Sequence, residues 1–258
     1  MNNLGLMLLA AAGAGGGPTN PDFAGGEGTE GNPYRVANAT QLDNIRHYGG
    51  AHFELIADID LVAAGITNWE PIRADFVLDG RGHKITNFNS DGTNSDRHAG
   101  FSDATTHSIE IRRLAIYGGA AGIVVSSARY CGYLCVGAYN SPNFVLEDCL
   151  AVGKYTTGGD RGTAILGIAN QPTTVLRRCV AICEMVDGPG RGGGVYYDFS
   201  STQTVENCFF DSDLRGDSDS DGGIPKTSAE LTNQATYTGF DFVNTWQMGA
   251  SYAELRVA

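Results

Sequence analysis

The chain has 258 residues, 42% of them hydrophobic, 18% charged, and 36 of them glycine. That hydrophobic share supports a core, and glycine does not recur at every third place, so neither general disorder nor a collagen is indicated. Seventeen Lys and Arg stand against 29 Asp and Glu, a formal charge of −12 that repels phosphate backbones and argues against nucleic acid as a partner.

Residues 1–22 read as an apolar arm followed by a Gly/Pro linker. Leu4, Leu6, Met7, Leu8 and Leu9 lie in an apolar run, Leu4 to Ala14, that ends in glycines. The run is shorter than the ~20 residues of a membrane span. It lacks a Lys or Arg before its apolar stretch, as a signal peptide would carry. Two readings stand: a retained weak signal peptide, or an arm that anchors the chain to a partner or to its own oligomer.

The body is expected over residues 23–223. Asn38 or Thr40 can cap a short helix with Leu42 and Ile45 on its apolar side. In HFELIADIDL, 52–61, apolar residues alternate with polar ones, which predicts a strand. Short β-branched runs then alternate with Gly, Asn and Asp turns to about residue 214. Four segments share one pattern: IEIRRLAIY, VLEDCLAV, VLRRCVAI and TVENCFFD. In each, two polar residues separate an apolar residue from Leu114, Cys149, Cys179 or Cys208, and these four are spaced by 35, 30 and 29. Arg161-Gly162 and Arg191-Gly192 repeat the offset of 30. A near-constant offset in strand-like sequence predicts stacked coils that shield one another's apolar faces. The fold expected is all-β, a short right-handed parallel β-helix of about six coils at ~4.8 Å each. It would carry the N-terminal apolar arm, the capping helix and a C-terminal capping segment over residues 224–258.

Several stretches resemble the GLUG-motif family of parallel β-helix surface proteins. FAGGEGTEGNPYRVANATQLDNI, 23–45, is similar to that family's entry segment and capping helix. HFELIADIDL with NWEPI resembles its first coil, and FVLDGRGHKITNF, 76–88, its F-x-x-D-G-x-G-H-x-I motif. GTAILGIAN, 162–170, resembles the Gly-rich naming motif, and IPKTSAELTN with YTGFDFVNTWQM resembles the closing segment. The resemblance implies the fold and a place among adhesins, surface-layer proteins and phage structural proteins. It departs from the family in having one good Gly-rich motif, no long repeat array and no wall-anchoring segment.

Cys149, Cys179 and Cys208 are expected as an inward ladder of small buried thiols. Six cysteines would allow fifteen disulfide pairings in an oxidising compartment. The i, i+4 pairs Cys131/Cys135 and Cys179/Cys183 lack the turn context of zinc sites, so no metal is expected. Nothing calls for a cofactor. Asp79, Gly80 and Gly82 form a tight turn in which Asp79 bonds turn amides and His83 packs behind. Trp69 and Trp246 are expected to seal the first and last coils. The acidic stretch 211–223 reads as a flexible loop with a faint likeness to calcium loops.

A glycosidase needs two facing carboxylates. Asp148, Asp160, Glu184, Asp187 and Asp198 could meet on one face, but no spacing singles out a pair. The offset of 30 sets Arg161 beside Arg191, with Asp160 near. Arg reads carboxylates bidentately, and Tyr155, Tyr196 and Tyr197 could supply stacking faces. The wall is therefore a candidate site for an acidic sugar, against a plain solvated ion-pair ladder.

The function expected is that of a non-enzymatic virion protein: a phage spike, tail fibre or decoration protein. Its arm would dock to other virion proteins, and its β-helix would meet a host glycan or protein receptor. A homotrimer is the expected assembly. The alternatives are a secreted or cell-surface bacterial adhesin and a tailspike-like polysaccharide depolymerase.

Overall fold

The computed structural model describes residues 20–93, 98–124, 130–156, 161–169, 173–186, 193–198, 203–216 and 222–258. The apolar arm Leu4–Leu9 lies outside them. So do Asp160 and Arg191, and of Arg161, Tyr197 and Asp198 only the backbone is described.

The described chain is mostly strand, arranged in three parallel sheets and one short antiparallel pair. The first sheet stacks, in order, Tyr34–Val36, Ala51–Leu55, Phe76–Asp79, Ile109–Arg112, Phe144–Glu147, Thr174–Arg177 and Thr204–Glu206. The second runs Ile59–Asp60, Lys84–Ser90, Ala115–Val124, Leu150–Thr156, Val180–Met185, Phe209–Asp211 and Ile224–Lys226. The third holds His98–Ser102, Tyr130–Cys135, Arg161–Gly162, Leu166–Ala169 and Tyr196–Asp198. From Phe76 to Phe209, strands that pair within a sheet are separated in the chain by strands of the other sheets. The chain visits the sheets in turn and returns one level further on.

The repeat offsets are the register of this stack. Ala115 pairs with Leu150, Leu150 with Val180, and Val180 with Phe209, which are steps of 35, 30 and 29. One residue earlier, Leu114, Cys149, Cys179 and Cys208 are all fully buried in the interior. Cys149 and Cys179 also point S–H donors at carbonyls of the level before, Ile111 at 3.5 Å and Leu146 at 3.7 Å. Burial pushes the Cys179 and Cys208 thiols well up, so both stay protonated.

The polar pair before each inward residue makes the corner between the first and second sheets. Its second member takes a left-handed backbone: Arg113, Asp148, Arg178 and Asn207, with φ of 48, 52, 50 and 53°. For a residue with a Cβ that conformation costs about 1 kcal/mol. It reverses the chain within one residue, turns that side chain outward and the next one in.

The helix Ala39–Asn44 forms as expected. Asn38 accepts the Gln41 N–H at 3.0 Å as its cap, and Leu42 and Ile45 are fully buried. HFELIADIDL is not one strand. It splits into Ala51–Leu55 in the first sheet and Ile59–Asp60 in the second, with Ile56 44% exposed at the bend. Period-2 alternation persists across a corner, so the pattern could not reveal the break.

The closing segment also differs from a cap over the end. Ile224–Lys226 does extend the second sheet beyond Phe209–Asp211. The chain then turns back through Ser228–Leu231, and 237–258 lies along the outer face of that sheet. Its Leu231, Tyr237, Trp246, Ala253 and Leu255 pack on outward-facing Ala115, Leu150, Val180, Ile182 and Phe209 in a second apolar cluster. Those outward residues are apolar, and water-exposed they would cost ~25 cal/mol per Å². Trp246 therefore seals a flank, not the last level: it is fully buried, and its indole N–H donates to Asp148 at 2.9 Å. The strap ends where the Ala258 N–H donates to the Arg81 carbonyl, 2.9 Å away. Gly82 is required there, with φ of 84° and a hypothetical Cβ only 1.7 Å from the Arg256 carbonyl oxygen.

Candidate functional site

The expected aromatic wall does not form around Tyr155 and Tyr196. Counting inward from Cys149 in steps of two gives Ala151, Gly153 and Tyr155, and Tyr155 is fully buried. Its hydroxyl faces Arg215, which opposes the upward push of burial on the phenol. Tyr196 pairs with Leu166 and takes the same kind of interior place, 4% exposed. Neither ring has a face to offer a ligand. Arg161 pairs through its backbone with Tyr130 in the third sheet. Its proposed neighbours Asp160 and Arg191 lie outside the described residues, as do Asp187 and the middle of the acidic stretch, 217–221. Asp211 and Asp213 flank that stretch and are tied to structure: Asp211 accepts the Asp213 and Leu214 amides, and both residues accept from Ser228.

Asp148, one of the candidate carboxylates, is committed to packing. It is 8% exposed, accepts Arg178 through both oxygens at 2.8 Å, and accepts the Trp246 N–H. The hydrogen bonds that Arg178 donates to Asp148 and to Glu147 push its guanidinium further up. This belongs to a larger corner ladder. Down the first sheet one register column reads Arg35, Glu54, Asp79, Arg112, Glu147, Arg177, Glu206. Signs alternate except between Glu54 and Asp79. That step is bridged by Arg35 and Arg81 on Glu54 at 3.3 and 3.9 Å, and by Arg113 on Asp79. Asp79 also accepts the Arg81 amide at 2.9 Å, as the turn reading expects, and His83 contacts Asp58 at 3.0 Å. These are structural ion pairs, most of them half-exposed and worth under about 1 kcal/mol each.

A built polar site lies instead beside the third sheet. Arg73, His98, Asp103, Thr105, Thr106 and His107 line a depression of about 260 Å³. Ile72 bridges to Ser102, so Arg73 sits one level from the strand His98–Ser102 and the turn that follows. Asp103 organises it. Its side chain is only 4% exposed. One oxygen accepts the Thr105 N–H at 3.1 Å and its hydroxyl at 2.5 Å, and the other accepts Arg73 Nε at 3.1 Å and meets His98 Nδ1 at 2.9 Å. Burial works to raise the Asp103 pKa. The bonds from His98 and Thr105 and the attraction of His98 outweigh it, and the carboxyl is held below the usual carboxylate range. A carboxylate only accepts, so Nδ1 of His98 carries the proton that faces Asp103, and Nε2 is the ring nitrogen left outside that bond. His107 stands similarly, with Nδ1 3.3 Å from Asp75.

The next level supplies aromatic surface. Tyr130 pairs with His98, their rings 5.9 Å apart, and the Asn140 N–H donates to the Thr105 carbonyl at 2.8 Å. Tyr139 precedes Asn140 in the chain and is 43% exposed. Sequence reasoning passed over this site because its histidines are nine residues apart and follow no metal spacing. The available signal was Asp-x-Thr, which occurs at 103–105 and at 91–93. In both, the Asp side chain accepts the amide and hydroxyl of the Thr two residues on.

No family model matches the chain. A 76-residue stretch is 47% identical to a protein of Evansella cellulosilytica described as a "Putative Gly-rich membrane protein"; the match covers 26% of this chain and 9% of that one. Among solved structures, a Bacteroides ovatus protein described as a "putative immunoglobulin A1 protease" superposes with a TM-score of 0.59 at 17% identity, covering 92% of this chain and 96% of that chain. That likeness shows a shared fold. No helix among the described residues is long and apolar enough to cross a membrane.

Proposed function

We propose that the chain is a short right-handed parallel β-helix of the GLUG-motif type, acting as a non-enzymatic attachment module that presents one side wall to another surface. The observation that carries this reading is the unbroken register of the first sheet. Tyr34, Phe53, Leu78, Ile111, Leu146, Leu176 and Val205 form one continuous column. Seven strands at ~4.8 Å make a stiff body about 30 Å long, whose outward side chains keep fixed spacings. Such a body suits display.

The carrier is either a virion, with the arm Leu4–Leu9 as tether and a trimer as the mounted form, or a bacterial cell surface. The segment shared with a bacterial protein described as a membrane protein supports the second, since a module matching 9% of a long chain fits a modular surface protein. Fractionation of the native source tests the reading. Antibody against the chain should label intact cells or purified particles, and external protease should remove the label. Recovery only from the soluble cell interior overturns the attachment role. Label on particles and not on cells decides for the virion.

A further inference from the structure

We propose that the depression lined by Arg73, His98, Asp103, Thr106 and His107, with the half-exposed Tyr139 on the neighbouring level, is a carbohydrate-binding site that takes a neutral, hydroxyl-rich sugar unit. The proposal deepens the attachment reading and rests on it only for the source of the sugar.

Three features point to a sugar. The first is a half-exposed tyrosine, Tyr139, whose neighbour Asn140 joins its level by a backbone bond to Thr105 in the polar cluster. Sugar rings present an apolar C–H face and a hydroxyl edge, which such a pair of surfaces matches. The second is pre-organisation. Asp103 spends its oxygens on Thr105, Arg73 and His98, so it holds other donors in place and keeps no lone pair in ready supply for a ligand. Its grip fixes the His98 ring, which leaves Nε2 as the nitrogen available to hydrogen-bond a sugar hydroxyl. The third is size: about 260 Å³ accommodates a single sugar unit and leaves the rest of a polymer in solvent.

Charge decides against an acidic sugar. The Arg73 cation is matched by Asp103, and Asp75 stands behind His107. Each basic side chain of the site thus already faces a carboxylate, His98 sharing Asp103 with Arg73, and the chain as a whole carries −12. A polyanion would approach against that field.

Saturation-transfer NMR on the full chain at neutral pH tests this with maltohexaose, laminarihexaose, cellohexaose, chitohexaose and hexagalacturonate as probes. At least one neutral probe should receive saturation. His98→Asn keeps a donor for Asp103 but removes Nε2, and Tyr139→Ala removes the ring. Each should weaken that probe about tenfold or more, a loss of ~1.4 kcal/mol, with the melting temperature unchanged. Arg112→Ala, on the corner ladder, should leave binding intact. The proposal is overturned by three results: silence from every neutral probe, binding indifferent to both site variants, or hexagalacturonate binding more tightly than all the neutral sugars. Each can occur with the chain still found on a surface, so the site can fail while the attachment reading stands.

Discussion

The corner between the first and second sheets and the flank of the third sheet are built from the same stacked strands, yet they differ in regularity. At the corner four successive levels repeat one device: a polar pair, its second member left-handed, then an inward Leu or Cys. In the third sheet the pairing slips, between Gly100 and Ser102 against Tyr130–Cys135, and between Leu166 and Ala169 against Tyr196–Asp198. The regular corner spends its charged groups on its own neighbours. The irregular flank leaves a depression in which a buried carboxylate aims polar groups outward. A repeat keeps a stack in register, and its local failure makes room for a site.

Substitutions at the two regions should separate these roles. Cys179→Asp places a charge in the interior where no partner stands, and should cost about 4 kcal/mol or prevent folding. Thermal melting reads it, and an unchanged transition would show that the thiol column does not pack as described. Trp246→Ala strips the largest side chain from the flank and leaves Asp148 one donor short. About 3 kcal/mol is expected by chemical denaturation, and a loss below 1 would mean the strap adds little to the body.

Asp103→Asn should be milder, about 2 kcal/mol at neutral pH, for the loss of charged hydrogen bonds. Its effect should also depend on acidity. The folded carboxyl titrates below the ordinary value of 3.8, so its contribution is full above about pH 4 and fades as pH falls further. Melting curves of wild type and variant should thus converge between about pH 4 and 2. Parallel curves across that window would show that Asp103 is not held as an anion. The smallest effect is expected from Arg177→Ala, under about 1 kcal/mol, because its pair with Glu206 is largely exposed. A double-mutant cycle with Glu206→Ala would expose any larger coupling.

The corner was legible in the sequence because its signal is periodic. The spacings between Leu114, Cys149, Cys179 and Cys208 are literally the register shifts between strands. The alternation that buries Tyr155 was equally present: counting by twos from Cys149 puts its ring inside. Reading that tyrosine as a ligand surface overlooked a rule already in use. The strap was less legible. Its sequence shows Trp246 and several aromatics, but no spacing tells an end from a flank. The outward apolar residues Leu150, Val180 and Phe209 were the clue, since they require cover beyond the stack itself. The depression was not legible. His98 meets Asp103 across a turn and Tyr130 across a level, and both contacts exist only once the stack has formed.

The strap has one more consequence. It is fastened to the aromatic ring of Phe209 late in the stack, to Asp148 midway, and to the Arg81 carbonyl near the beginning. Its span is fixed by its own residues, so it acts as a ruler laid against the winding. Inserting or deleting one turn of chain between those points would shift the far fastening by ~4.8 Å and break it. A stack of parallel strands that could otherwise be extended level by level is thereby held to one number of levels.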